Sequence, residues 1–532
     1  MPLQSHALTG EQYAARMRFV AAVAATLALV GAGIAVSQVH SEAAKPPIVF
    51  VVFDALPESM LMKPGGQIDA ARFPGFGDLA AHSTWYRNAT TVHDSTSVSI
   101  PAMLDGRWPS NLRRALIADH PVNLFTLLSG SYRILADEEG TQLCPLAVCR
   151  QRPVELGALL RSRREQHFKA ALSRLGAASK DTRPQLWFVH SLLPHEPHRF
   201  LPSGKVYEPG VDPEPALDGN VSFDNDFLTR QAEQRHLLQL EYTDGLVRKL
   251  LARLRASGLY DKALIVVTAD HGVSFRVKKY PAAPFRAGQI GWRRDLTKHN
   301  GQDVAFVPLF VKKPRQHEGK IDDSWVRTLD ILPTLLHAAH AKRIPRALAG
   351  HVLDEKRQAP RAVQALTNRI GLVELDPRTL LRERATTIEQ RARRFGTGAD
   401  VQPLYTVGPH PDLIGRRIAS VGVDVSRRAD PIRARFWGSR RFLDVDLAGH
   451  DIPANVTGWL DGRKTADRDL ALAVNRRIAA VGRSFKPMGA RLALEFSLMV
   501  PEAAFRNGFN DVRLYEVTGA SHLVELGRSP RR

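Results

Sequence analysis

Short apolar runs that end in acid or imidazole recur through the first two-thirds of the chain. Ile48-Val49-Phe50-Val51-Val52-Phe53 runs into Asp54, Leu186-Trp187-Phe188-Val189 into His190, and Leu264-Ile265-Val266-Val267-Thr268-Ala269 into Asp270-His271-Gly272. Each run has strand length, is apolar at successive positions and is bounded by turn residues, which predicts strands buried on both faces, as in a parallel sheet. Between the second and third runs, Leu238, Leu246, Val247, Leu250, Leu251 and Leu254 follow a 3.6-residue period and Gly258 supplies a stop. This predicts a long amphipathic helix. Strand, helix and strand make a βαβ unit. Tyr132–Leu135 and Val307–Val311 read as further strands, Leu124–Leu128 and Thr328–Leu336 as helices, and residues 72–92 as mixed and turn-rich.

After residue 356 the pattern changes. Asp376-Pro377 is a helix start and Gly396 a stop. Beyond residue 405 short alternating runs separated by Asp-Gly and Asn-Gly predict an antiparallel β-sandwich. The N-terminus carries another signal. Phe19–Ser37 is an almost unbroken apolar run preceded by Arg16 and Arg18, and spans roughly 28 Å as a helix. It reads as a single membrane span with a cytoplasmic N-terminus and an extracytoplasmic body, in preference to a cleaved signal. The predicted organisation is a cytoplasmic tail (1–18), a transmembrane helix (19–40), an α/β catalytic domain (45–356), a helical connector (357–404) and a β-sandwich-like domain (405–527).

Of the 532 residues, 74 are Lys or Arg and 54 Asp or Glu, a net charge of +20. This favours anionic partners: membrane head groups, an anionic ester substrate, a cell-envelope glycan. No helix-turn-helix, zinc-finger or aromatic-basic RNA motif accompanies the charge, which excludes nucleic acid. Residues 276–298 are rich in arginine and lysine and read as a mobile, substrate-facing loop. The only two cysteines, Cys144 and Cys149, lie six residues end to end without further metal ligands beside them, and read as a local disulfide in an oxidising compartment.

Asp54, Asp270 and His271 at strand ends offer the mixed oxygen and nitrogen donors that suit a divalent metal. His190, His195 and His198 crowd another strand end, and Ser95-Thr96-Ser97 offers hydroxyls. The ordered set resembles the alkaline phosphatase and sulfatase superfamily over roughly residues 47–355. Thr-Ser-Val-Ser-Ile-Pro at 96–101 is similar to the nucleophile segment of the membrane-anchored phosphoethanolamine transferases. The resemblance implies Asp54, Thr96, Asp270 and His271 as metal ligands, Thr96 as nucleophile, and His195 as an active-site residue. It also implies His195 and His299 at the substrate or a second metal, and a divalent ion, zinc or manganese before magnesium or calcium. Thr328–Leu336 resembles the Asp-x-x-Pro-Thr helix of sulfatases. Two departures matter. The Cys/Ser-x-Pro-x-Arg motif that is oxidised to formylglycine in sulfatases is absent, and Ser191 stands where two-metal phosphatases have an aspartate.

The expected function is therefore metal-dependent hydrolysis or transfer of phosphate or sulfate esters through a covalent threonine intermediate. A sulfuric ester hydrolase is the alternative within the enzymes. A non-catalytic glycan- or partner-binding protein is the alternative outside them, and metal content separates it from the rest.

Overall fold

The computed structural model describes residues 45–149, 164–207, 225–276, 293–355, 358–423, 432–461, 467–486, 494–519 and 522–530. Residues from Pro46 onward form one compact unit. Among the described residues no helix is long and apolar enough to cross a membrane. The run Phe19–Ser37, with the tail before it, lies outside those residues, as do residues 277–292 of the basic loop.

Seven strands form the central sheet: β1 (Ile48–Asp54), β2 (Thr84–Thr90), β3 (Arg133–Asp137), β4 (Gln185–Pro194), β5 (Leu264–Ala269), β6 (Leu309–Lys312) and β7 (Lys320–Arg327). Their order is β3-β4-β1-β5-β6-β2-β7. β4, β1 and β5 run parallel side by side, and β6 alone is antiparallel to both its neighbours. The sheet is thus mostly parallel, as the apolar runs predict. The reason is visible in its two faces. Phe50, Val52, Phe188 and Val266 pack on one side against helix α1 (Thr96–Asp105) and the helix at Ile331–Ala338. Val51, Phe53, Val189 and Val267 pack on the other against helix α2 (Asp226–Ala256). With both faces covered, alternation has no polar side to record.

α2 is longer than its period suggests. Asn225 caps it by accepting from Leu228 N, and Gly258 lies at φ +65° just past its end. Its second half is amphipathic as expected. Its first half, Phe227–Leu240, is buried almost all round, because the C-terminal sheets cover the side turned away from the central sheet: Gln231 Nε2 donates to Ser497 O and Gln234 Nε2 to Leu404 O. Helix α3 (Pro377–Phe395) starts and stops where its sequence signals place it, with the Asp376 side chain accepting from Thr379 N and Gly396 at the end. Ahead of it, however, the connector holds a two-stranded hairpin, Val363–Thr367 with Gly371–Leu375, which a purely helical reading omits. Strand β2, Thr-Trp-Tyr-Arg-Asn-Ala-Thr, also departs from the turn-rich reading. Its polar residues are buried by partners remote in sequence, such as Asn88 with Asp323 O.

The C-terminal part forms two antiparallel sheets. Arg433–Phe436, Asn455–Asp461 and Leu494–Met499 make one, and Asp469–Val474, Arg477–Arg483, Val512–Thr518 and His522–Arg528 the other. Val456, Phe496, Leu498, Leu470, Leu472 and Leu514 share one hydrophobic cluster with α2 and β1, so these sheets rest directly on the α/β body.

Candidate active site

β1 and β5 end side by side. Asp270 N donates to Phe53 O at 3.0 Å, which sets the Asp54 and Asp270 carboxylates next to one another at the carboxyl edge of the sheet. Both are buried. One oxygen of Asp270 is spoken for: Oδ1 accepts from Ala55 N (3.2 Å) and His271 N (2.6 Å). Its Oδ2 makes no hydrogen bond among the described residues.

His271 Nδ1 lies 2.9 Å from Gly272 O. A carbonyl only accepts, so Nδ1 carries a proton, and Nε2 is the ring nitrogen that faces inward. Nε2 stands 3.3 Å from Thr96 Oγ1, 3.5 Å from Asp270 Oδ2 and 3.7 Å from Asp54 Oδ1. Thr96 Oγ1 is also 3.4 Å from Asp54 Oδ2. The four residues expected from the sequence as ligands, Asp54, Thr96, Asp270 and His271, therefore converge.

The backbone that carries His271 has no room to shift. A Cβ on Gly272 would lie 2.0 Å from Asp303 O. Gly272→Ala is expected to cost about 2 kcal/mol or more in stability, as other forced overpacking does, and to lower activity by moving the imidazole. Urea denaturation alongside initial rates checks this, and a variant as stable and active as the wild type would rule the constraint out.

Thr96 opens α1, and the residues before it are held from three directions. Asp94 Oδ2 accepts from Leu296 N (3.0 Å) and Oδ1 from Asn368 N (3.3 Å), while Thr91 Oγ1 donates to Asp270 O (2.6 Å). His93 Nδ1 accepts from Ser95 N, so its Nε2 donates to Asn111 Oδ1 (2.8 Å). Burial pushes the His93 pKa down, which agrees with a neutral ring.

The structure adds His190. It faces Val52 across β4 and β1, and its ligand atoms, with those of Asp54 and Asp270, all lie within 4.8 Å of one another. Neither of its nitrogens makes a hydrogen bond of normal geometry among the described residues. Burial pushes its pKa down to about 4, against the opposing charge of Asp270, so it is neutral at pH 7. In sequence His190 stands out only as one of three histidines after a strand; its nearness to Asp54 and Asp270 depends on β4 lying beside β1.

His195 is half-buried further along the same segment. Its Nδ1 donates to Glu196 O (2.6 Å), and its charge bears on both His190 and His236. His198 and His236 face each other at 3.3 Å on the α2 side. His299 is exposed, so it is not part of the buried group. Asp330 and Thr334 of the Asp-x-x-Pro-Thr helix act as anchors: Asp330 accepts from Arg327 N and His351 N, and Thr334 Oγ1 from Leu353 N. Cys144 and Cys149 form a disulfide, so neither thiol is available for oxidation to formylglycine.

Two carboxylates and imidazole nitrogens gathered in one buried group, with Asp270 Oδ2 lacking a hydrogen bond among the described residues, form a donor set that fits a divalent cation. Fold and site together define an α/β chain with an acid–histidine–hydroxyl centre at the carboxyl ends of a parallel sheet, where such sheets place ligands.

Residues 159–341 match the family model described as Sulfatase. Over that segment, about a third of its length, the chain is similar to this family. It is 29% identical over 180 residues to an ulvan-active sulfatase of Formosa agariphila, a match covering 33% of this chain and 32% of that protein. The chain thus spans about a third of that relative's length. Among solved structures it overlaps with a phosphonate monoester hydrolase from Silicibacter pomeroyi (18% identity, TM-score 0.40, 60% of this chain and 79% of that one). It also overlaps with a protein solved with its substrate D-glucosamine-2-N,6-O-disulfate (14% identity, TM-score 0.44, 60% and 83%).

Proposed function

We propose that the protein is a metal-dependent hydrolase of sulfate esters that works through a covalent Thr96 ester, anchored to a membrane by residues 19–40 with its catalytic part outside the cytoplasm. The observation that carries this reading is the meeting of Thr96 Oγ1 with Asp54 and His271, beside Asp270 and His190, in one buried centre. The sulfatase segment and the ulvan-active relative support sulfate esters as the substrate class. The Cys144–Cys149 disulfide supports an oxidising compartment.

Asp54, Asp270, His271 and His190 would hold the ion. When bound, a divalent ion lowers the pKa of a hydroxyl beside it and neutralises charge on ester oxygens. The residues do the rest. Thr96 Oγ passes its proton to Asp54 Oδ2, 3.4 Å away, and attacks sulfur; the bond from sulfur to the ester oxygen breaks, and the alcohol leaves with a proton supplied by His195. Water then attacks the sulfur of the Thr96 ester, giving a proton back to His195, and the Thr96 oxygen leaves sulfur and takes its proton back from Asp54 as sulfate is released. Thr91 keeps the segment before α1 on the end of β5 throughout, and Asp94 ties it to Leu296 and Asn368. Thr96 in place of an oxidisable cysteine also favours a second reading, the same sequence on phosphate esters, with water or an alcohol as acceptor.

Turnover of 4-nitrophenyl sulfate, phosphate and phosphodiester with and without added zinc or manganese tests the proposal. Metal-stimulated sulfate cleavage is expected. Cleavage of phosphate esters alone would transfer the assignment to the second reading. Absence of metal binding and of all turnover would favour the non-catalytic binding protein.

A further inference from the structure

β1 and β4 lose step where they end. Phe53 faces Ser191, but the next residue of β1, Asp54, faces Pro194, so Leu192 and Leu193 bulge out of the ladder. Both are buried, and their amides need partners outside the pairing with β1. Leu193 N donates to Ser191 Oγ at 3.4 Å. Leu192 N donates to Glu139 Oε2 at 2.6 Å, a much shorter bond to a buried carboxyl group beyond the end of β3. Strand register brings that group there. Asp137 faces Val189 across β3 and β4, so Glu139, two residues on, comes level with Ser191 and reaches the next amide. Glu138 beside it closes the following turn, accepting from Thr141 Oγ1 (2.7 Å), Leu143 N (2.8 Å) and Cys144 N (2.7 Å).

The bulge decides where His195 enters. In an unbroken ladder Asp54 would face Leu192, and His195 would stand three residues further on, roughly 10 Å at 3.3 Å per residue. With two residues looped out, Asp54 faces Pro194 and His195 is the next residue. We propose that Glu139 is a positioning residue for the reaction: by taking the Leu192 amide it holds the bulge that brings His195 to the end of β1, where the leaving alcohol needs its proton. The proposal rests on the role given to His195 above. β4 stands between β3 and β1, so Glu139 acts through this strand.

The test uses the full chain and two aryl esters of whichever acid it turns over, one releasing 4-nitrophenol and one releasing phenol. Phenol is the poorer leaving group and depends more on a proton donor. Glu139→Met fills similar space without an acceptor. It should lower kcat on the phenyl ester on the order of 10²-fold and on the 4-nitrophenyl ester by less than about tenfold. Glu139→Gln, whose amide oxygen still accepts from Leu192 N, should keep both within about tenfold of the wild type. His195→Ala should show the same preference as Glu139→Met, and the double variant should fall no further than the worse single one. If Glu139→Met does not fold, Glu139→Asp, one methylene too short to reach Leu192 N, takes its place with the same expectation. Equal losses on the two esters, or Glu139→Gln as impaired as Glu139→Met, overturn the proposal. If His195→Ala itself shows no preference between the esters, the acid role of His195 falls. Glu139 is then judged on the crystal structure of its variant: Pro194 displaced from Asp54 upholds its grip on the bulge, and an unmoved Pro194 overturns it.

Discussion

Thr96→Ala is expected to lower turnover by on the order of 10³-fold or more with no loss of folding stability. The reason is local. Thr96 is half-buried at the first position of α1, and among the described residues its hydroxyl meets Asp54 and His271. Its removal leaves the helix, the two carboxylates and both imidazoles in place, so metal content should be unchanged. Thr96→Ser keeps the hydroxyl and loses one methyl, so it should recover activity to within about 10²-fold of the wild type. It also separates chemistry from packing, because a merely structural threonine would show no such ranking. Rapid quenching of the wild type should yield a peptide containing Thr96 heavier by one sulfuryl or phosphoryl group. Full activity in Thr96→Ala, or the added mass on another residue, would remove Thr96 from the mechanism.

Asp270→Asn has the second large effect, and its sign depends on metal. Asp54 and Asp270 stand together in a buried site, which costs stability while no cation sits between them. The asparagine oxygen can still accept from Ala55 N and His271 N, so the turn after β5 should survive. Its amide nitrogen would replace Oδ2 and present a donor where a cation needs an acceptor. Without metal, the variant should melt at or above the wild-type temperature. With zinc or manganese at a hundred times the wild-type Kd, the wild type should gain about 2.7 kcal/mol while the variant gains little. Activity should fall in parallel with metal content. Melting curves with and without metal, with elemental analysis, check both signs. A variant less stable than the wild type in the absence of metal would make Asp270 a structural residue first, and a variant that binds metal normally would remove it from the ligand set.

The same docking that builds the centre explains the place of α3. Arg384 donates to Glu58 Oε2 (2.6 Å) and Asn88 Oδ1 (2.9 Å), and Arg391 pairs with Glu233 and donates to Ser59 O. A helix more than 300 residues downstream thereby braces the segment that leaves Asp54. The connector contributes to the scaffold of the site, and not merely to the spacing between two parts of the chain.

What could be read without the structure is local. β1, β4 and β5 are announced by unbroken apolar runs; Asp54 and Asp270 stand at the sheet edge as their runs imply, whereas β4 continues to Pro194 and His190 lies inside it, opposite Val52. α3 is delimited by Asp376, Pro377 and Gly396 because caps act through residues three or four apart. Asp54, Thr96, Asp270 and His271 could be grouped because each lies at an element boundary and their order resembles that of a known superfamily. Pairing between distant strands leaves no such trace. That β4 lies against β1, which brings His190 to Asp54 and Asp270, follows from the sheet order alone. The same holds for β2, whose polar residues find partners on β7 and α3, and for the hairpin at 363–375, whose tip meets Asp94. Apolar patterning records whether a face is buried, and capping records where an element stops. Which buried faces meet is decided by packing and hydrogen bonds across the whole chain, and only the tertiary structure holds that information.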